Sequence, residues 1–253
     1  MNAQPNICLF CRSAGPFTRV EHPIPESLGN DDAVLSPGFV CDTCNQYFGT
    51  KVEQVVLNSP PFSVERVGAA IRTKKGKYAK FISPEVSLRS TGCWDRVIVH
   101  GSDEWYKRTF VKPGGGILWV DRPVGHRSIL CRFLLKVGLE LLVLADSENP
   151  YDGHYDPARK CARFGRGQQD WHVGYAQYPH RSDLLIATRE DEFGPLQTRQ
   201  IYQYEIGAMP NGDRVLCFIF ITHCFACNLS QPYLEEYVDG FNRINDFRMM
   251  LML

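Results

Sequence analysis

The sequence predicts an α+β protein in which a small cysteine-bound module precedes a larger mixed α+β domain. Two C-x2-C pairs, Cys8/Cys11 and Cys41/Cys44, bracket a short N-terminal segment, and such pairs are typical of metal-bound modules. Beyond residue 60, short segments of β pattern alternate with longer segments whose apolar residues recur at helical spacing. The chain has 253 residues, of which 44% are hydrophobic, so it can bury a core without disulfide support.

One domain boundary is expected near residue 60, because Asn58-Ser-Pro-Pro61 ends the first helical segment. Residues 1–60 form the predicted N-terminal module, and residues 61–253 form the predicted α+β accessory domain. The accessory domain divides into three predicted parts: a basic β-rich part at 61–122, a helical part at 126–165, and a C-terminal hairpin and helix at 170–253.

The N-terminal module is predicted to contain two short strands followed by a helix. Thr18 to Ile24 has the pattern of the first strand, which nearby prolines close. Phe39-Val40 forms the second strand after a turn at Ser36-Pro37-Gly38. From Asn45 to about Leu57, apolar residues recur at the spacing of an amphipathic helix, namely Phe48, Val52, Val55 and Val56.

The first part of the accessory domain is predicted to be rich in strands. Ala69 to Phe81, with Lys74-Lys75-Gly76-Lys77 at its centre, has the pattern of a basic hairpin. Glycine and proline residues mark the turns that follow it. Three further strands are predicted at Trp94 to His100, Glu104 to Val111, and Ile117 to Val120.

The rest of the accessory domain is predicted to contain three helices and a hairpin. Arg127 to Ala145 places large apolar residues on one face and predicts a long helix. Asp156-Pro157 supplies an N-cap and a first-turn proline for a short helix to Phe164. Gln197 to Ile206 and Arg214 to His223 flank the Asn211-Gly212 turn and predict a hairpin. The final helix is predicted from Leu234, Val238 and Phe241.

Positive charge is concentrated in the middle of the chain. The whole chain carries 28 basic and 28 acidic residues, whereas residues 60–145 carry 15 basic and 7 acidic residues. This excess predicts a surface for a polyanion, although a solvated basic face without a ligand explains the charge equally well. The candidate nucleic-acid-binding residues are Arg66, Arg72, Lys74, Lys75, Lys77 and Lys80.

The cysteines predict a structural zinc site. Ten cysteines occur in a chain whose N-terminus lacks the pattern of a signal peptide, so we expect a reducing, cytoplasmic location. A closed site of four thiolates is structural, and a two-residue spacer lets one turn present two sulfurs to one metal. A third pair, Cys224/Cys227, has no complementary pair and is interpreted as part of a buried strand. The predicted zinc ligands are Cys8, Cys11, Cys41 and Cys44.

Glu21, His22 and Asn45 are the candidate catalytic residues. Glu21-His22 ends the first predicted strand and Asn45 directly follows the second cysteine pair, so a hairpin packed on the helix brings them together. Carboxylate and amide oxygens are hard ligands that suit Mg²⁺, and a neutral imidazole suits a general base. Glu53 lies too far along the helix to bind the same ion and is interpreted as a salt-bridge partner or as a group that supports the metal ligands.

These residues together resemble the HNH endonucleases, in the branch whose ββα-metal fold is supported by a zinc ribbon. The resemblance implies that His22 deprotonates the attacking water and that Glu21 and Asn45 bind a catalytic Mg²⁺ or Mn²⁺. The implied reaction hydrolyses a phosphodiester bond of DNA and leaves 5′-phosphate and 3′-hydroxyl ends. The resemblance covers about residues 7–57 and rests on the pattern Cys8-x2-Cys11…Glu21-His22-Pro-Ile-Pro25…Gly29…Cys41-x2-Cys44-Asn45-x3-Gly49-x3-Glu53.

One departure from the family pattern leaves the orientation of His22 open. The family has a further asparagine a few residues before the second cysteine pair, where this chain has the segment Leu35 to Val40. The nearest asparagine is Asn30, which lies too early for a direct match. The group that orients the imidazole is therefore left unassigned.

Three functional interpretations are compatible with the sequence. The first is a DNA endonuclease that acts in bacterial defence or in a mobile element. The second is a zinc ribbon that binds nucleic acid or protein without cutting it, and the third is a nuclease subunit that acts only beside a partner such as an ATPase. A homo-oligomer is also compatible with the sequence. No apolar run reaches the ~20 residues of a membrane span, so no membrane partner is expected.

Overall fold

The computed structural model confirms the α+β class, with helices and antiparallel sheets. It describes residues 6–30, 32–73, 75–94, 96–108, 111–112, 115–116, 126–145, 148–167, 169–177, 186–191, 194–199 and 201–252. The strand predicted at Ile117 to Val120 and the candidate residue Lys74 lie outside these ranges.

The segment that carries Glu21 and His22 is an irregular loop and not the predicted hairpin. None of the described residues 18–24 and 39–40 belongs to a strand, so both strand predictions are wrong. A single bridge joins Glu21 to Leu35, with backbone N–O distances of 3.2 and 2.8 Å. The prolines at positions 23 and 25 have no N–H to extend a ladder, which confines the pairing to this bridge.

The helix that follows the second cysteine pair forms as predicted but begins earlier. Cys41 caps it, because the Cys41 sulfur accepts a hydrogen bond from the Cys44 backbone N–H at 3.3 Å. Asn45 therefore lies within the first turns of the helix and is not its N-cap. The helical segment consists of α1 (Asp42–Phe48), a π-helical turn (Gly49–Glu53) and α2 (Gln54–Leu57).

A short helix and a small sheet follow the N-terminal module. Helix α3 (Phe62–Gly68) leads into the predicted basic hairpin. The hairpin is confirmed, because the Ala79 N–H donates to the Ile71 carbonyl at 3.1 Å across its base. It continues into a three-stranded antiparallel sheet made of β1 (Lys80–Ile82), β2 (Val86–Ser90) and β3 (Val97–Gly101).

The strand predicted at Glu104 to Val111 is wrong, because most of this segment forms helix α4 (Asp103–Arg108). The Ser102 hydroxyl accepts a hydrogen bond from the Trp105 N–H at 3.1 Å and so satisfies a donor of the first turn. Gly101 leaves room for the Trp105 ring, since a Cβ at this position would lie 2.3 Å from a ring carbon. A two-stranded sheet of β4 (Val111–Lys112) and β5 (Gly115–Gly116) follows.

The long helix α5 (Arg127–Ala145) has the predicted bounds. Every residue from Leu130 to Leu142 is buried, including three charged ones. No helix in the described part of the chain is long and apolar enough to cross a membrane. A 3-10 turn (Gly153–Tyr155) leads into α6 (Asp156–Phe164), whose first turn holds the predicted proline, although Tyr155 and not Asp156 occupies the N-cap.

A five-stranded antiparallel sheet forms the C-terminal part of the fold. The elements of this part are β6 (Val173–Gln177), β7 (Ile186–Asp191), β8 (Gly194–Arg199), β9 (Tyr202–Ala208), β10 (Arg214–Phe220), β11 (His223–Asn228), α7 (Glu235–Ile244) and β12 (Met250–Met252). The strand order of the sheet is β12-β6-β11-β10-β9, and β7 pairs separately with β8. The hairpin predicted around Asn211-Gly212 is confirmed as β9 and β10, and the predicted final helix is α7.

Helix α5 contacts both the N-terminal module and the five-stranded sheet. Phe48 and Val52 of the module belong to the same buried cluster as Phe133 of α5, and the Phe133 ring lies 6.2 Å from the Phe218 ring of β10. Burial of each such side chain contributes about 1.5–3 kcal/mol. The domain boundary near residue 60 stays a prediction. One hydrophobic core contains residues from both sides of this position.

Candidate metal centre and active site

The four predicted zinc ligands form one cluster. The sulfurs of Cys8, Cys11, Cys41 and Cys44 all lie within 4.8 Å of one another, and Cys11 Sγ lies 3.6 Å from Cys41 Sγ. Four sulfurs placed ~2.3 Å from a tetrahedral zinc ion lie about 3.8 Å apart, which matches this spacing. The cluster can therefore hold a metal ion, and its geometry agrees with zinc.

Hydrogen bonds to sulfur surround the cluster. The Cys41 N–H donates to Cys8 Sγ at 3.4 Å, and Arg163 Nε of α6 donates to Cys44 Sγ at 3.2 Å. A hydrogen bond with Cys44 lowers the pKa of the Cys8 thiol to about 4, and the same bond, together with burial, raises the pKa of Cys44. Cys8 thus favours the thiolate, the form of cysteine that binds metal, whereas burial raises the pKa of Cys41.

The three predicted catalytic residues line one open cleft of about 400 Å³. Glu21 and His22 come from the loop after the first cysteine pair, and Asn45 comes from α1. The helical segment also contributes Glu53, and α3 contributes Arg66. The structure therefore brings together the carboxylate, the imidazole and the amide that the sequence singled out.

His22 has one engaged and one unengaged ring nitrogen. Its Nε2 lies 3.2 Å from Glu26 Oε1, four residues further along the chain. Its Nδ1 is buried and has no hydrogen-bond partner among the described residues. Glu26 thus contacts the imidazole whose orienting group the sequence left unassigned. No local pattern signalled this pair, because the residues between His22 and Glu26 form an irregular loop and not a turn of helix.

Asn30 fixes the loop that begins at His22. Its side chain is buried and donates to the carbonyls of Ile24 and Ala33 at 2.6 and 2.8 Å. Its oxygen accepts from the Ala33 N–H at 2.8 Å and from the Tyr202 hydroxyl of β9 at 3.0 Å. Sequence reasoning set Asn30 aside, although an asparagine between turn residues is typical of a side chain that bonds to its own loop.

Glu21 and Asn45 offer oxygen atoms that suit a divalent cation. Glu21 Oε1 lies 2.7 Å from Lys136 Nζ, whereas Glu21 Oε2 is buried without a partner in the part of the chain that the structure describes. The Asn45 amide nitrogen donates to the Val20 carbonyl at 3.0 Å, which leaves its oxygen as the ligating group. A buried carboxylate oxygen with no partner and an amide oxygen, on two residues that line the same cleft, fit Mg²⁺ or Mn²⁺.

The cysteine cluster and all of the cleft-lining residues except Arg66 lie within one stretch of chain that matches a known family. Residues 8–60 match the HNH endonuclease family. The resemblance drawn from the sequence is confirmed over this range, which we call the HNH module, and the match supports a nuclease-type enzyme. No curated protein and no solved structure matches the chain.

Residues that follow the HNH module contact the N-terminal part of the chain at several points. The Arg163 guanidinium of α6 lies 3.9 Å from the centre of the Tyr47 ring. The Tyr151 hydroxyl donates to the carbonyl of Ile7, the residue just before the module, at 3.0 Å. Glu53 forms the expected salt bridge, because its Oε1 lies 2.9 Å from the Lys136 ammonium of α5. Lys136 was not among the candidate site residues named from the sequence.

The predicted nucleic-acid-binding residues occupy two kinds of position. Arg66 is buried in the cleft wall, where it donates to the Ser27 carbonyl at 2.8 Å, and burial lowers the pKa of its guanidinium. The side chain of Arg72 is exposed and lies over the Tyr78 ring at 5.2 Å. The candidate lysines that the structure describes are all exposed, namely Lys75, Lys77 and Lys80.

Proposed function

We propose that the protein is a metal-dependent endonuclease that hydrolyses phosphodiester bonds of DNA at the cleft of its HNH module. The observation that carries the proposal is the convergence of Glu21, His22 and Asn45 on one cleft. Two consecutive residues there each have a polar atom, Glu21 Oε2 and His22 Nδ1, that is buried without a partner among the described residues. Such atoms are expected where a cation and a water are to be bound.

The proposed reaction needs an activated water and stabilisation of charge on the phosphate. Glu21 and Asn45 would hold a divalent cation, which when bound supplies Lewis-acid stabilisation of the developing charge. His22 takes a proton from water as the water oxygen attacks phosphorus and the bond to the 3′-oxygen breaks. Glu26 holds the ring and stabilises the imidazolium that results. The leaving 3′-oxygen takes a proton from solvent, so the products carry a 5′-phosphate and a 3′-hydroxyl.

The test is metal-dependent nicking of a supercoiled plasmid by the purified protein. We expect open-circular and linear DNA with Mg²⁺ or Mn²⁺ and uncut plasmid with EDTA, because the reaction requires the cation. Bound but uncut DNA under every metal condition would contradict the proposal and favour the zinc ribbon that binds without cutting. The proposed roles in bacterial defence or in a mobile element, the ATPase partner, the homo-oligomer and the cytoplasmic location stay predictions.

The sheet of β1, β2 and β3 is proposed to bind the DNA backbone beside the cleft. Its register aligns Lys80, Arg89 and Ile98 across one face, and all three side chains are exposed. Lys75 and Lys77 are exposed on the hairpin that leads into β1. Exposed basic side chains of this kind contact phosphates without reading the base sequence.

Reversing two charges on this hairpin should weaken DNA binding. We expect Lys75→Glu/Lys77→Glu to flatten the plot of log affinity against log salt, since each lost phosphate contact lowers the slope by ~0.9. The matched control is Lys160→Glu/Arg248→Glu, which makes the same charge change at exposed residues elsewhere. An unchanged slope, measured by fluorescence anisotropy with a short duplex, would show that the hairpin lies away from the DNA.

A further inference from the structure

Helix α5 brings an ammonium group into contact with two residues that line the cleft, Glu21 and Glu53. The Lys136 side chain is completely buried. Its Nζ lies 2.7 Å from Glu21 Oε1 and 2.9 Å from Glu53 Oε1 of the HNH module. It also lies 3.0 Å from Glu140 Oε2, one turn further along α5. Three carboxylates from three segments of the chain therefore surround one cation.

The same ammonium also bonds to the backbone of the loop that carries the base. It donates to the His22 carbonyl at 2.7 Å and to the Pro23 carbonyl at 3.2 Å. Together with the carboxylates, these carbonyls give Lys136 five oxygen partners. The loop and the helical segment, which form the two walls of the cleft, are thus joined through one side chain.

The buried ammonium of Lys136 is surrounded by oxygen atoms that replace its water. Burial alone lowers the pKa of a lysine, but Glu140, Glu21 and Glu53 outweigh it, so the pKa of Lys136 is raised well above its ordinary value. Burial also raises the pKa of Glu140, although Lys136 opposes this effect. A buried ammonium persists only where its partners compensate for the water it has lost, and here they do.

The contact divides the two oxygens of Glu21 between two tasks. Oε1 accepts a hydrogen bond from Lys136, while Oε2 has no partner among the described residues. Glu21 itself lines the cleft. A carboxylate held through one oxygen keeps a fixed rotamer, which reduces the entropy lost when the other oxygen binds a cation. Partners of this kind orient metal ligands in many proteins.

We propose that Lys136 is a positioning residue of the nuclease site, which holds Glu21 so that Oε2 faces the cation. The inference rests on the proposed function, because it assumes that Glu21 binds a metal. It makes α5 a part of the active site, although α5 lies outside the HNH module. Lys136 acts through Glu21 and touches no substrate.

The test measures Mn²⁺ binding to the full chain without DNA, by the loss of the free-Mn²⁺ electron paramagnetic resonance signal. Loss of a partner that orients a metal ligand typically costs 10–100-fold in metal affinity, so we expect Lys136→Met to raise the Kd for Mn²⁺ by that factor. Zinc content should stay at one per chain. Glu140→Gln is the matched control, since it alters the same cluster but leaves the contact between Lys136 and Glu21 in place.

A second variant covers a failure of Lys136→Met to fold. Lys136→Met/Glu140→Leu removes the fully buried carboxylate together with the ammonium, and replacing a buried ion pair by apolar residues is often tolerated. The double variant should fold, retain zinc and bind Mn²⁺ as weakly as Lys136→Met. If neither variant retains zinc and a cooperative thermal transition, Lys136 serves the fold and the positioning role is overturned.

Glu21→Gln separates this proposal from the proposed function. If Glu21→Gln weakens Mn²⁺ binding and the folded Lys136 variants do not, the positioning role is wrong while the metal site stands. If Glu21→Gln binds Mn²⁺ as the unmodified protein does, Glu21 is not a ligand and both proposals fail. Support requires that Glu21→Gln and the Lys136 variants weaken Mn²⁺ binding while Glu140→Gln binds normally.

Discussion

We expect His22→Ala to abolish cleavage of plasmid DNA while the protein keeps its zinc and its affinity for DNA. A positioned general base contributes about 10²–10⁴-fold to a rate, and the loss should be at least that large. The substitution should spare the fold, because the imidazole is partly exposed and its one ionic contact is with the Glu26 carboxylate. The measurement is the rate of nicking under single-turnover conditions.

Two further variants make the result specific to the cleft. His126→Ala, at an exposed histidine before α5, should cut at the unmodified rate. Glu26→Gln should lower the rate by less than His22→Ala, because the base remains and only its orienting carboxylate is lost. If His22→Ala nicks plasmid at the unmodified rate, the nuclease is not at this cleft.

Loss of zinc should unfold the HNH module. Binding of a structural zinc ion contributes about 10–16 kcal/mol in small modules, which is comparable to the ~5–15 kcal/mol by which whole proteins are stable. Cys8→Ser leaves three thiolates and removes most of that contribution. We expect one zinc per chain by elemental analysis of the unmodified protein, and loss of both zinc and near-ultraviolet circular dichroism in Cys8→Ser.

Cys93→Ser provides the control for the zinc experiment. Cys93 is exposed and lies outside the four-cysteine cluster, so its replacement should change neither the zinc content nor the thermal midpoint. Purified protein without zinc, or with disulfides among the four clustered cysteines, would contradict the structural zinc site.

Local pattern was sufficient for the elements whose chemistry is local. The apolar repeat of α5 and the proline in the first turn of α6 placed both helices correctly. The strand predicted after Ser102 was wrong. Its aromatic residues have high β propensity, but the Ser102 cap and the room beside Gly101 favour a helix. The strand predicted from Thr18 was also wrong. Its apolar residues suggest a strand, but its prolines cannot donate the hydrogen bonds of a ladder.

The site was predictable only where its residues lie in one motif. Glu21, His22 and Asn45 were singled out from their spacing relative to the cysteine pairs, and all three line the cleft. Lys136 was not, because its partner His22 lies 114 positions away and a single lysine in an apolar helix gives no sign of what it contacts. Contacts that join remote segments require the tertiary fold, which no local pattern contains.

The burial of α5 has a consequence for the protein during its synthesis. A nascent chain on the ribosome that stops before β10 and β11 has not yet made the strands that pack on α5, although the whole HNH module has already emerged. The apolar side of α5 then faces water, and long-range pairing of this kind is slow to form. An incomplete translation product of this kind therefore carries every residue of the HNH motif, while α5 lacks the strands on which it packs.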